Sequence, residues 1–130
     1  MTLQRTPSAL NAMAASRSGG ERVRTDAERF QVVVYLARTG SAFPELEMRN
    51  CEEYARAFGW EVSLTVVDDE TDKSPERRPL LLAALQAVKD RTTGAILVPS
   101  KATVSPIDGE YDEFARLVEK AGGFVQVTRR

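Results

Sequence analysis

Two arginines and a glycine stand where this 130-residue chain could hold an anion: Arg38 and Gly40 just past an apolar run, and Arg78 at the head of a helical pattern. Guanidinium groups grip phosphate or carboxylate oxygens through paired N–H donors, and the backbone amides of a glycine turn add more. Arg38, Gly40 and Arg78 are therefore the candidates for phosphate or anion binding. The plainer reading pairs both arginines with acids between Asp68 and Glu76. Ser41, one residue past Gly40, is a nucleophile only if a base faces it; otherwise it is a turn serine capping the next helix. The carboxylates of Asp68, Asp69, Glu70 and Asp72 suit a divalent cation, but the run lacks recognised ligand spacing. A solvated loop and no metal site are expected there.

The residues that are missing narrow the chemistry further. The chain has no histidine, so the usual general base near neutral pH and the commonest metal ligand are absent. Its one cysteine, Cys51, excludes an internal disulfide and reads as a small core residue. The net charge of −1 gives no general pull toward nucleic acid or membrane. It is unevenly spread: residues 1–29 hold five Arg against three acids, +2, leaving −3 for the rest. No apolar run approaches the roughly 20 residues of a membrane span, and no signal-type apolar core opens the chain. A cytoplasmic protein without cofactor is expected.

The elements that must position these residues alternate between strand and helix. Residues 1–29, rich in Ala, Ser, Thr, Gly and Arg, are expected to be a disordered tail. Phe30 to Leu36 is a β-branched apolar run, the pattern of a strand buried on both faces. A helix is predicted from about Pro44 to Phe58, with acids in its first turn and Gly59 past its end. Val62, Leu64 and Val66 alternate with polar residues as a strand with one face less buried. A helix from about Pro79 to Asp90 turns Leu81, Leu85 and Val88 inward, and Ala95 to Val98 is the third strand. A long linker through Gly109 leads to a helix from Glu110 to Ala121, with Phe114, Leu117, Val118 and Ala121 on one face. Phe124 to Val127 closes the pattern as a fourth strand. This order predicts an α/β fold, an open and mostly parallel four-stranded sheet with helices on both faces and a flavodoxin-like relative. In such sheets ligands sit beyond the carboxyl ends of the strands, yet Ala102, Thr103 and Pro106 bring no acid, base or fixed cation there.

Several segments together resemble the catalytic domain of the serine recombinases, the resolvases and invertases. Tyr54-Ala55-x-x-x-Gly59-Trp60-Glu61-Val62 is similar to that family's passage from first helix to second strand. Arg78-Pro79-x-Leu81 is similar to its start of the second helix. Ala95 to Val127 then follows its third strand, active-site loop, third helix and fourth strand without a gap. The likeness covers roughly residues 30–128 and implies an active site at the carboxyl ends of strands one and three. There, in the family, a serine attacks a DNA phosphodiester while arginines clamp the phosphate.

This sequence departs from that pattern where chemistry would occur. The family's Tyr-x-Arg-Val-Ser falls on Leu36-Ala37-Arg38-Thr39-Gly40, which keeps Arg38 and puts glycine at the nucleophile position. Its Asp-Arg-x-x-Arg falls on Ala102, Thr103 and Pro106. The resemblance therefore implies a degenerate, non-catalytic recombinase-like domain over residues 30–130, without the family's dimerisation helix and DNA-binding domain. Its expected partner is a recombinase or another DNA-associated protein, with DNA binding weak or absent. One alternative is a small anion- or nucleotide-binding domain using Arg38 and Arg78. Another is DNA strand exchange that depends on a catalytic partner in trans.

Overall fold

The β-branched run through Val32, Val33 and Val34 forms a strand buried on both sides, and the other elements assemble around it. A computed structural model describes residues 2–5, as a backbone path, and residues 29–129. The strands are β1 (Thr2–Arg5), β2 (Gln31–Ala37), β3 (Glu61–Asp68), β4 (Ala95–Val98) and β5 (Phe124–Val127). The helices are α1 (Glu45–Ala57), α2 (Pro79–Lys89), a single turn α3 (Lys101–Val104) and α4 (Asp108–Lys120), with a 3-10 turn at Pro75–Arg77.

The sheet order is β1-β3-β2-β4-β5. Strands β3, β2, β4 and β5 are mutually parallel, with Val34 beside both Thr65 and Leu97. This is the expected α/β architecture. Strand β1 was not expected: it lies antiparallel on the β3 edge, Thr2 opposite Val67 and Arg5 opposite Leu64. Thr2–Arg5 therefore departs from the tail reading, and residues 6–28 lie outside the described residues. Backbone pairing with an edge strand does not need the large apolar side chains whose scarcity suggested a tail.

Side-chain alternation along the strands divides the core in two. Val32, Val34, Leu36, Ala95 and Leu97 face α1, which presents Cys51 and Ala55. Val33, Tyr35, Ile96 and Val98 face the opposite layer, where Leu81, Leu85 and Val88 of α2 meet Val104 of α3 and Phe114 and Val118 of α4. Leu117, expected on the same inward face, is 40% exposed. The linker before α4 is not wholly irregular, since α3 makes one turn within it. Strand β5 stays half-buried along its whole length, as befits an edge. Among the described residues no helix is long and apolar enough to cross a membrane.

Candidate functional site

The chain leaves β2 toward α1 on one face of the sheet and leaves β4 toward α3 and α4 on the other. Such a switch point opens a crevice at the carboxyl ends of the two strands. A groove of about 810 Å³ lies there, with Ala37, Pro99, Ser100 and Thr103 on the sheet side, α1 along one wall and Thr128 and Arg129 beyond β5. Arg38, Gly40, Ser41 and Arg78 do not line it.

Arg78 is turned into the protein. Pro79 restricts the residue before it to extended backbone, observed at φ −112° and ψ 103°, where Arg78 also forms the N-cap of α2. Its side chain is enclosed, with the residue 1% exposed. Nε donates to the Lys73 carbonyl at 3.0 Å, and Nη1 donates to the Thr103 carbonyl at 2.9 Å and to the Tyr35 hydroxyl at 3.3 Å. Tyr35 in turn donates to Oδ2 of buried Asp68. The other Asp68 oxygen accepts from the Glu70 amide at 2.9 Å. A buried cation and a buried anion are thus bridged by a phenol, and each meets the donors or acceptors that burial demands. Burial, followed by the Asp68 carboxylate, raises the Tyr35 pKa above the ordinary tyrosine value, while Arg78 opposes the shift.

Arg38 takes a different partner. Its Nε and Nη2 donate to the two carboxylate oxygens of Asp69 at 2.8 and 3.0 Å, a bidentate pair at the surface. That pairing with Arg38 is the main cause holding the Asp69 carboxyl at about 2. The plainer sequence reading thus describes Arg38, whereas Arg78 meets a tyrosine and two carbonyls rather than an acid directly. The structure brings neither guanidinium to an open, shared anion pocket. Gly40 holds φ +75° in an exposed turn, with nothing within 4 Å of where a Cβ would stand. Ser41 is exposed in the same turn. It does not cap α1, whose N-cap is Pro44 without a side-chain cap bond; the turn runs on past Ser41 before the helix starts.

At the positions that resemble the family's charged loop, Ala102 and Pro106 are exposed and Thr103 is buried. The Thr103 carbonyl, not its side chain, meets Arg78. Among the described residues no three metal-ligating side chains gather. Asp68, expected in a solvated loop, instead ends β3 and is buried against Tyr35, whereas Asp69 stays exposed and pairs with Arg38. Cys51 is fully buried with Sγ 3.5 Å from the Thr128 hydroxyl, and burial pushes its thiol up to about 11. The sequence reading missed Tyr35, which bridges Arg78 to Asp68. The available signal was a phenol inside an otherwise apolar strand, since a buried hydroxyl requires a partner.

No protein-family model matches the chain, and no curated protein matches it in sequence. Solved structures do match. The N-terminal catalytic domain of TP901-1 integrase superposes with a TM-score of 0.65 at 18% identity, over 75% of this chain and 76% of that one. The C-terminal catalytic domain of ISC1926 TnpA, an IS607-like serine recombinase, also gives 0.65, at 20% identity over 78% and 71%. The fold is resolvase-like. A periplasmic solute-binding protein of an ABC transporter from Actinobacillus succinogenes, solved with bound D-allose, gives 0.50 at 18% identity, over 75% of this chain and 30% of that one. At such identities the resolvase-like likeness is one of fold, and the side chains at the site must be read from this chain itself.

Proposed function

We propose that this chain is a non-catalytic, serine-recombinase-like domain that acts in the cytoplasm through contact with a recombinase or another DNA-associated protein. Arg78 carries the reading. The arginine that resembles a phosphate clamp is instead a structural cation, enclosed between Tyr35 and Thr103. Gly40 at the position of the attacking serine and the uncharged Ala102, Thr103 and Pro106 support the same conclusion. A covalent mechanism needs a nucleophile and cations aimed at the developing charge; among the described residues Gly40 carries no nucleophile and Arg78 is turned inward. The purified chain is expected neither to nick supercoiled DNA nor to form a covalent adduct with it. Recovery of a serine-linked adduct that disappears in Ser41→Ala overturns the proposal.

A second reading, an anion or nucleotide site at Arg38, Gly40 and Arg78, draws support from the half-buried Arg38 beside the open Gly40 turn. It requires Asp69 to release Arg38 and the core to release Arg78. Thermal stabilisation by inorganic phosphate or a nucleotide, lost in Arg38→Ala, favours it. Strand exchange dependent on a partner in trans is told apart by DNA exchange that appears only in the mixture.

A further inference from the structure

One stripe of α1 and its C-cap runs along the groove and carries two kinds of group. Glu47, Asn50 and Glu53 recur every third residue, and Tyr54 and Phe58 stand one turn apart beside them. Arg129, which follows β5, lines the same groove. The side chains of Glu47, Asn50, Glu53 and Arg129 make no hydrogen bond or ion pair with another described residue. Their capacities are mixed: the carboxylates only accept, the guanidinium only donates and the amide does both. Phe58 is 59% exposed, although Tyr54 and Trp60 each hold a ring centroid 5.0 Å from its own.

This mixture selects a class of ligand. An anion in the groove meets two carboxylates and a cation meets Arg129, so either sign of charge incurs a repulsion. A neutral molecule dense in hydroxyls incurs neither and engages donors and acceptors alike. The exposed aromatic surface adds a platform for apolar C–H groups. Hydroxyls around the rim and C–H groups across the face are the make-up of a sugar ring. From this we infer that the groove binds a short neutral oligosaccharide. The stripe from Glu47 to Phe58 rises about 16 Å along the helix, room for more than one ring. The groove's volume of about 810 Å³ suits a ligand of that size, and its place at the switch point of the sheet is where such ligands sit. One ring packs on Phe58, Asn50 and Glu53 take hydroxyls along the stripe, and Glu47 and Arg129 hold the end nearest the strand termini. The inference goes beyond the proposed function and requires neither DNA nor a recombinase.

Titration of the full chain with cellotriose, maltotriose and mannotriose, all neutral, tests it. Binding is read from the side-chain amide signal of Asn50 in nitrogen-labelled protein and from the fluorescence of Trp60, the single tryptophan. Saturable binding of at least one trisaccharide is expected, with a Kd on the order of 0.1–1 mM. It is expected to be the same at about 0.05 and 0.5 M salt, because the ligand carries no charge to screen. Asn50→Leu and Arg129→Leu each weaken it about fivefold, the worth of one hydrogen bond, and both replace exposed side chains without disturbing the core. Phe58→Ala weakens it about tenfold through the lost aromatic platform. Absence of saturable binding by all three sugars at about 10 mM overturns the inference. So does binding indifferent to both Asn50→Leu and Arg129→Leu, or a groove that answers only to inorganic phosphate or an oligolysine peptide run in parallel.

Discussion

Arg78 shows how one residue's surroundings settle its role. A guanidinium at the head of a helix is available to an anion only if the protein leaves its donors open, and here a phenol and two carbonyls engage them. Tyr35 is the hinge of this arrangement, because it accepts from Arg78 and donates to Asp68. Tyr35→Phe keeps the apolar ring and removes the bridge, leaving buried charges without their shared partner. It is expected to lower the unfolding free energy by about 1–3 kcal/mol, the usual cost of an unsatisfied buried polar group. Urea denaturation measures this, and an unchanged midpoint contradicts the bridge. Arg38 and Asp69, both at the surface, carry no comparable expectation because solvent screens such pairs.

At the scale of elements, close backbone approach decides what cannot change. Gly123, which follows α4 and leads into β5, sits so that an added Cβ would stand 2.6 Å from the Gly94 carbonyl oxygen and 2.7 Å from Val88. Gly123→Ala forces apart the two connections that precede β4 and β5. A loss of about 1–3 kcal/mol is expected by thermal unfolding, as for overpacking elsewhere. Full stability in that variant contradicts the close approach.

The core strands and three long helices were legible in the sequence for a plain reason. Period-2 and period-3.6 patterns report burial directly, and Pro and Gly mark the ends. Strand β1 was not legible, because backbone pairing leaves no hydrophobic signature. The site was legible as a set of residue types but not as an arrangement. Arg38 and Arg78 look alike in sequence, and only the fold sends one to Asp69 at the surface and the other beneath Thr103.

For the whole molecule, the fold and the chemistry part company. The sheet order creates a crevice between β2 and β4, and similar sheets carry the catalytic domains of recombinases. The crevice in this chain is lined by α1 and by the segments after β4 and β5, Arg129 among them, while Arg38 and Arg78 lie outside it. A shared fold supplies a place for chemistry without supplying the chemistry. On the proposed non-catalytic reading, function rests on surface contacts rather than on a reaction.

The most direct test is the urea unfolding free energy of Arg78→Gln against the parent chain, each with and without a short DNA duplex. Removing one partner of a buried charge network should lower stability by about 3–5 kcal/mol, and the duplex should shift neither protein. If Arg78→Gln is as stable as the parent but loses a duplex-induced stabilisation that the parent shows, Arg78 serves an anion site and the account is wrong.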